Sequence, residues 1–438
     1  MDIDRILDIE KYISDNIASN YINQKQTGEV FTPYEIINHM LNKLEEINKD
    51  IFTNKNNKFL DNSVGIGFFM ICIYFRLMKG LRYIIKNPYE RKKHILENML
   101  YMIDINQTNI DICNSIFNSN KFKVNIYCHD ALTFSYNNKF TVIIGNPPYQ
   151  KQNKKNNSAR GGTNNNLYID FIKLNITLLQ DDGYLAYIHP LNWRKINSEI
   201  FKLFLAKNLL HISLNYGGCL FKNVTVNTDF YILQNNNNYN TSNIECYDKK
   251  NKLLITDNFK IKIIFIPNIF NKLIQDILIK INKHGVNKIC MLNSDCHKIR
   301  THVKSGKDNI YKFPLYNTSG NPYEFFSSKP HKDQYKKKVI MSCSGKLSPI
   351  YDDGKLGTTQ DSMYFLVETQ EEGKLLVDIL NSNLYKFIIK ICQWGNFRNE
   401  AYLFNHLKYP NSIDINNYFK LNKEEIDFIN KLKYILFL

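Results

Sequence analysis

The most specific chemical pattern in the chain is Asn-Pro-Pro-Tyr at residues 146–149, which directly follows the apolar run Val-Ile-Ile-Gly. Two other stretches, beginning at Asn87 and Asn321, carry Asn-Pro-Tyr but lack the second proline. Asn-Pro is common in turns, so a lone Asn-Pro-Tyr indicates little. The double-proline version after an apolar strand is far more specific, and we take it as the candidate catalytic motif.

These residue types fit chemistry on the nitrogen of a planar amine, such as the exocyclic amine of adenine. Its delocalised lone pair becomes nucleophilic when acceptors hold both amine hydrogens. Asn146 offers a side-chain carbonyl, and Pro147 offers a backbone carbonyl aimed by the fixed φ of proline. Pro148 completes the motif, and Tyr149 supplies a flat face on which a base can stack. With a sulfonium leaving group the reaction needs alignment and charge placement, and we expect no metal.

Three further acids end predicted strands upstream of this motif. Asp61 precedes the turn that holds Gly65 and Gly67, and a strand, Gly-x-Gly and helix in series lets a ligand approach the backbone. Asp104 ends the next strand, where an acid can bind both hydroxyls of a ribose. Asp130 ends a third, short strand and could accept a hydrogen bond from an adenine amine. Each signal is weak alone, and their order along the chain makes the pattern specific.

The elements that position these residues alternate between strand and helix. Such alternation predicts an α/β fold with a doubly wound, mostly parallel sheet, in which ligands bind at the carboxyl ends of the strands. Thr32 is a candidate N-cap and Pro33 suits the first turn of the helix that follows. After about residue 260 the alternation fades, so we predict a first domain over 1–260 and a second, mixed α+β domain over 261–438.

Charge and composition point to the partner. The 438 residues include 57 Lys and Arg against 41 Asp and Glu, a formal net charge of +16. This excess suggests a polyanion, nucleic acid before a membrane surface, although an AT-rich genome that favours Asn, Lys and Ile would also explain it. The nine cysteines show no disulfide or zinc spacing. No signal-peptide core and no membrane-spanning run is visible, so we expect a soluble protein in the cytoplasm of a bacterium or of a virus-infected host.

Taken together, these motifs resemble the gamma class of N6-adenine DNA methyltransferases from type II restriction–modification systems. Residues 146–149 match the family's catalytic motif without change, and Gly-Glu-Val-Phe-Thr-Pro at 28–33 resembles its first cofactor motif. The resemblance is strong over 28–233 and weaker beyond, where the family has a target-recognition domain. Residues 62–64 depart from the pattern: the chain has Asn-Ser-Val where the family usually has Pro and small residues.

The resemblance implies a Rossmann-like fold, the cofactor S-adenosylmethionine and double-stranded DNA as substrate. The residues that it assigns to the cofactor are Thr32, Pro33, Asp61, Gly65, Gly67, Asp104, Ile105, Asp130 and Ala131. It assigns Phe221 to stacking on a flipped target base beside Tyr149; the alternative, a core phenylalanine at the start of a strand, stays open. The chain has little spare length for a fused nuclease, so we expect a cognate restriction endonuclease, where one exists, to be a separate protein. We also expect a monomer.

The basic loop over 150–166 is predicted to contact the DNA backbone, through Lys151, Lys154, Lys155 and Arg160.

Three alternative functions stay open at this point. An intact Asn-Pro-Pro-Tyr also fits methylation of an RNA adenine or of a protein glutamine. A catalytically silent DNA-binding relative that kept the fold is the third.

Overall fold

The structure is a computed structural model that describes residues 3–19, 30–118, 121–149, 166–221, 227–238, 241–292, 303–318, 324–345, 347–394 and 398–436. The chain divides into two compact units. The first contains residues 1–193 and 198–261, and the second contains 194–197 and 262–438. Within the described residues, no helix has the length and apolar character that crossing a membrane requires.

A nine-stranded sheet forms the centre of the first unit, with the strand order β3-β2-β1-β4-β5-β7-β6-β8-β9. The strands, in chain order, are β1 Phe59–Asp61, β2 Leu100–Asp104, β3 Asn125–Cys128, β4 Phe140–Gly145, β5 Leu179–Pro190, β6 Asn208–Leu214, β7 Thr228–Gln234, β8 Ser242–Tyr247 and β9 Leu253–Phe259. The five strands from β3 to β5 are parallel, whereas β7 is antiparallel to both of its neighbours. The predicted doubly wound, mostly parallel α/β sheet is thus confirmed.

The central strand β4 shows why this sheet forms. All six of its residues are buried, as in a parallel strand that is covered on both faces. β1 lies beside β4, with Leu60 paired to Ile143, and β5 lies on the other side, with Gly145 paired to Tyr187. The carboxyl ends of β1, β2 and β4 consequently lie at one edge of the sheet. β3 is shorter than expected: it ends at Cys128, and Asp130 lies in the turn that follows.

Apolar residues of helices and strands form a common core in the first unit. The helices with described bounds are α1 Ile9–Ser19, α2 Tyr34–Ile47, α3 Phe68–Gly80, α4 Pro88–His94, α5 Gln107–Phe117, α6 Leu167–Leu178 and α7 Glu199–Leu205. Short 3-10 turns cover Ile3–Arg5, Leu81–Tyr83 and Leu191–Arg194, and a π-helical turn covers Ile95–Met99. The prediction that Thr32 caps α2 is wrong, because Pro33 occupies the N-cap position without a side-chain hydrogen bond.

The second unit is mixed α+β and contains two four-stranded sheets and one two-stranded sheet among its described residues. Its strands are β10 Val286–Asn287, β11 Cys290–Leu292, β12 Val303–Ser305, β13 Phe313–Tyr316, β14 Phe325–Ser327, β15 Lys338–Ser342, β16 Ile350–Asp352, β17 Gly357–Thr358, β18 Ser362–Leu366 and β19 Lys408–Tyr409. Its helices are α8 Lys272–His284, α9 Gln370–Asn381, α10 Asn383–Ile391, α11 Ala401–His406, α12 Ile415–Tyr418 and α13 Lys423–Leu436.

Candidate functional site

The candidate catalytic motif begins where β4 ends, at the edge of the sheet. A Cβ atom on Gly145, the last residue of β4, would lie only 2.8 Å from Oδ1 of Asp61 at the end of β1. Only glycine therefore lets these two strand ends approach so closely. Beyond Gly145, Pro147 is buried, Pro148 is exposed and Tyr149 is half-buried. The motif thus begins directly beside the glycine-rich turn that follows β1.

The side-chain amide of Asn146 is held in one orientation. Its Nδ2 donates to Thr32 Oγ1 at 3.2 Å and to the backbone carbonyl of Val30 at 3.4 Å. A carbonyl can only accept a hydrogen bond, so Nδ2 and not Oδ1 must face Val30. Oδ1 is then left buried, and it accepts no hydrogen bond from any residue that the structure describes. A buried acceptor without a donor is costly, and it matches an amine-bearing substrate.

The glycine-rich turn after β1 has the backbone shape that close approach of a ligand requires. Gly65 and Gly67 both have positive φ, +53° and +89°. A Cβ atom on Gly65 would lie 3.3 Å from the ring of Phe31, and one on Gly67 would lie 3.1 Å from the ring of Phe117. Side chains at these positions would therefore combine backbone strain with crowding. The turn leads directly into α3, whose N-cap is Gly67.

Two carboxylates meet at this turn. Asp61 is 1% exposed and accepts the Ser63 N–H through Oδ1 at 3.1 Å. Oxygens of Asp104 accept the N–H of Gly65 and that of Asn106, both at 2.8 Å. Burial, opposed by the Ser63 hydrogen bonds and assisted by the negative charge of Asp104, raises the pKa of Asp61 to about 8. A cationic ligand beside Asp61 would restore its ionised form.

The residues assigned to the far end of the cofactor lie on the loops after β2 and β3. Ile105 is 74% exposed, which is unusual for an isoleucine and leaves an apolar surface beside Asp104. Asp130 is exposed and accepts the Leu132 N–H, while Ala131 is buried. The N–H of His129 donates to the carbonyl of Asp104 and ties the two loops together. These residues fit a cofactor that carries a cation near Asp61, a sugar near Asp104 and an apolar ring near Ile105.

Asn62, which departs from the family pattern, is buried and hydrogen-bonded to core side chains, and its Nδ2 also reaches the hydroxyl of Tyr136, which donates to the carbonyl of Ala131. Asn62 Nδ2 donates to Asn175 Oδ1 and Asn62 Oδ1 accepts the Tyr187 hydroxyl, both at 2.8 Å. Asn175 Nδ2 also donates to the Tyr187 hydroxyl, which closes a triangle of buried side chains. The departure is thus part of a hydrogen-bonded network that joins the turn to α6 and β5. Sequence reasoning missed this network because its members lie far apart along the chain.

Phe221 is only 5% exposed and belongs to the hydrophobic core of the first unit, near Gly217. This position favours the core alternative, and stacking on a base would require the ring to move. Stacking by Phe221 stays a prediction.

The residues predicted to contact the DNA backbone, Lys151, Lys154, Lys155 and Arg160, lie outside the described residues.

A second polar cluster, made of His39, His211 and Glu245, was not predicted. Potential ligand atoms of the three side chains lie within 4.8 Å of one another, close enough for all three to bind one metal ion. Other groups already contact them: the Ser213 hydroxyl lies 2.8 Å from His211 Nε2 and 3.3 Å from His39 Nε2, and Lys43 pairs with Glu245 at 2.7 Å. These contacts join α2 to β6 and β8. The residues come from three elements, so no local spacing could have indicated them.

Comparisons with known proteins address the family. Residues 32–221 match the model of the Eco57I restriction-modification methylase family. An uncharacterized adenine-specific methylase from Mycoplasma pneumoniae is 31% identical over 156 residues, which cover 33% of this chain and 36% of that protein. The chain thus matches little more than a third of the length of this curated relative. The predicted resemblance to adenine methylases of restriction–modification systems is confirmed, and it implies S-adenosylmethionine as the cofactor.

Similarity to solved structures extends over most of the chain. The Type ISP restriction-modification enzyme LlaGI, in complex with a DNA substrate mimic, aligns with 93% of this chain and 47% of its own at 12% identity, with a TM-score of 0.57. The Type IIL restriction-modification enzyme MmeI, in complex with DNA, aligns with 92% of this chain and 66% of its own at 11% identity, with a TM-score of 0.51. At such identities the similarity concerns the fold alone.

Proposed function

We propose that this chain is a site-specific DNA methyltransferase, which transfers a methyl group from S-adenosylmethionine to the N6 amine of an adenine flipped out of the duplex. One observation carries the proposal: Asn146 presents a buried Oδ1 without a donor among the described residues, directly after the strand that borders the glycine-rich turn. The family match over 32–221 supports the same chemistry.

When bound, S-adenosylmethionine supplies a methyl group on a sulfonium, and the protein supplies alignment. Asn146 Oδ1 and the carbonyl of Pro147 each accept one amine hydrogen, which localises the nitrogen lone pair towards the methyl group. The amine becomes tetrahedral as it reacts, and the two acceptors stabilise this geometry more than the planar one. The nitrogen loses its proton after transfer, so a strong base is not required. Tyr149 stacks on the base and offsets part of the cost of its leaving the duplex.

Asp61, Asp104 and the Gly65–Gly67 turn would hold the cofactor. Asp61 would face the cationic methionine end, and Asp104 would accept the ribose hydroxyls. Asp104 already accepts two backbone N–H bonds, but each carboxylate oxygen can accept another, so it retains capacity for the sugar. Thr32, Pro33, Ile105, Asp130 and Ala131 complete the proposed cofactor site.

The DNA would be bound by the second unit, as the target-recognition domain, and by the basic residues of the loop at 150–166. We propose a monomer that acts in the cytoplasm, with any cognate restriction endonuclease on a separate chain. The net charge of +16 supports a polyanionic substrate.

The test compares wild type with Asn146→Ala by sequencing DNA from expressing cells for N6-methyladenine. Wild type should mark one sequence motif, and the variant should lose about 10²–10³ in rate as a preorganised catalytic contact is removed. Binding of DNA and of S-adenosylmethionine should be retained. Near-normal turnover of the variant would contradict the assignment.

The chain contains a matched control in the Asn-Pro-Tyr at residues 87–89. Asn87 caps α4 by accepting the N–H of Tyr89 and of Glu90. Asn87→Ala should cost about 1 kcal/mol of stability, as for a lost N-cap, and leave methylation unchanged.

Wild-type protein that marks RNA adenine or protein glutamine, and not DNA, would favour the alternative substrates. Protein that binds DNA but transfers no methyl group would favour the silent relative.

A further inference from the structure

Thr32 has a contact that its predicted role at the cofactor does not require. Its side chain is 4% exposed, and its hydroxyl oxygen accepts a hydrogen bond from Asn146 Nδ2 at 3.2 Å. Thr32 lies just before α2, and Asn146 lies just after β4, so the contact joins segments 114 residues apart. A buried hydroxyl that contacts the candidate catalytic side chain affects how that side chain is presented.

The contact matters because the terminal torsion of an asparagine side chain is soft and has broad, roughly two-fold minima. Rotation of the amide would exchange Oδ1 with Nδ2 and turn a donor towards the substrate amine, which needs an acceptor. The Val30 carbonyl opposes this exchange, because two acceptors would then face each other. One contact leaves the plane of the amide free to tilt, whereas two contacts on the same nitrogen define it.

We infer that Thr32 is a positioning residue for methyl transfer, which acts through Asn146 by fixing the plane in which Oδ1 is aimed at the target amine. This inference rests on the proposed function and deepens it. A hydroxyl that accepts one hydrogen bond still has its own proton to donate, so the role is compatible with a cofactor contact. A positioning role makes the rate of methyl transfer at saturation depend on Thr32. A cofactor contact makes the dissociation constant for S-adenosylmethionine depend on it.

Thr32→Val keeps the shape of the side chain and removes the hydroxyl. Val30 still contacts Asn146, so the rate of methyl transfer under single-turnover conditions, at saturating cofactor and DNA, should fall about ten-fold, the worth of one neutral hydrogen bond. The dissociation constant for S-adenosylmethionine is measured separately by calorimetry, because a lost hydroxyl contact with the cofactor would raise it without slowing methyl transfer at saturation. Thr32→Ser keeps the acceptor and should retain the wild-type rate.

Thr141 provides a matched control at the opposite end of β4. It is 6% exposed, and its hydroxyl accepts the N–H of Lys58 at 3.1 Å. Thr141→Val removes a buried hydroxyl acceptor of the same kind away from the candidate site. Thermal melting should show a similar loss of stability for both valine variants, while only Thr32→Val should slow the transfer step.

The outcomes separate the inference from the function on which it rests. An active wild type with an unchanged transfer rate in Thr32→Val overturns the inference and leaves the function standing. A weakened cofactor affinity with a normal rate at saturation also overturns it and assigns Thr32 to the cofactor alone. A wild type that transfers no methyl group to DNA overturns the function and the inference together. If Thr32→Val does not fold, a wild-type rate in Thr32→Ala overturns the inference, and a slow Ala variant rescued by Ser supports it.

Discussion

Asp61 and Asp104 end neighbouring parallel strands, and the charge of Asp104 adds to the burial of Asp61 in raising the pKa of Asp61 to about 8. In the free protein at pH 7 the Asp61 carboxyl is therefore mostly protonated. The proposed cofactor is cationic at its methionine end. Binding of such a ligand favours the carboxylate and must be coupled to loss of the Asp61 proton.

We predict that affinity for S-adenosylmethionine falls as the pH falls below about 8. The free protein gains a proton on Asp61 over this range and the complex does not, so the dissociation constant should rise by up to about ten-fold per pH unit. Calorimetry between pH 5.5 and 7, in buffers of different ionisation enthalpy, should detect a released proton. The cofactor amine stays protonated over this range and adds no pH dependence of its own.

The control for this prediction is Asp61→Asn, which should bind more weakly at high pH and show no proton release. Asp111→Asn, on the exposed side of α5, should behave as wild type. An affinity that stays constant across the range in wild type would mean that Asp61 is ionised before the cofactor arrives.

A second prediction concerns the triangle of Asn62, Asn175 and Tyr187. Asn62→Ala leaves the partners Asn175 and Tyr187 with unpaired buried groups, so the free energy of unfolding should drop by about 1–3 kcal/mol. Affinity for S-adenosylmethionine should stay near that of wild type, because the short contacts of Asn62 are with Asn175 and Tyr187, and its contact with Tyr136 is long at 3.4 Å. Denaturant unfolding and calorimetry measure the two quantities on the same preparation.

Asn57 provides a comparison of a simpler kind. It is buried and donates one hydrogen bond to the carbonyl of Ile51. Asn57→Ala should therefore be less destabilising than Asn62→Ala. A large loss of cofactor affinity in Asn62→Ala without a loss of stability would mean that the departure from the family pattern alters the cofactor site itself.

The sequence was most informative where local chemistry determines structure. Apolar runs bounded by Gly, Pro and Asp located β1, β2 and β4, because such runs favour buried parallel strands and those residues end them. It was least informative where the structure depends on long-range contacts. The buried state of Asn62 and the contact between Thr32 and Asn146 arise from pairing across 113 and 114 residues. In the described part of the second unit the strands have 2–5 residues, too few for a period to be recognised.

A third prediction distinguishes the two roles of Phe221. Because the ring is 5% exposed within the core, Phe221→Ala should lower the free energy of unfolding by about 3–5 kcal/mol, as for other buried Phe truncations. The fluorescence of 2-aminopurine at the target position should rise on binding as it does in wild type, per bound complex. Tyr149→Ala should instead change this amplitude, with a smaller loss of stability than Phe221→Ala because Tyr149 is only half-buried. A stable Phe221→Ala protein with an altered 2-aminopurine response would establish the stacking role.

The last prediction concerns acid stability and the cluster of His39, His211 and Glu245. Burial lowers the pKa of His211 to about 3, from an ordinary value of 6.5. Burial alone would raise the pKa of Glu245, but hydrogen bonds from His39, Lys43 and Tyr247 prevail and hold it well below its ordinary 4.5. Both groups take up protons more readily in the unfolded chain than in the fold.

The sign of the effect follows from linkage. The stability from neutral His211 is complete above its unfolded pKa of 6.5 and is lost as the pH falls towards 3. The stability from ionised Glu245 is complete above 4.5 and is lost below it. The first unit should therefore weaken below about pH 6.5, because His211 and buried His189, whose pKa is lowered to about 4, together outweigh Asp61. The raised pKa of Asp61 acts in the opposite direction: between pH 3.8 and about 8 the folded protein holds the Asp61 proton and the unfolded chain does not, so this group stabilises the fold as the pH falls. His211→Gln should flatten the pH dependence of the unfolding free energy between pH 4.5 and 6.5, because His189 and Asp61 then act with opposite signs.

The measurement can be restricted to the first unit, because the chain has two tryptophans and each unit contains one of them. In a Trp394→Phe background, the fluorescence of buried Trp193 reports unfolding of the first unit alone. His129→Gln, which replaces an exposed histidine, serves as the control and should leave the slope of stability against pH unchanged. An equally steep slope in His211→Gln and in the control would show that His211 is already protonated in the folded protein.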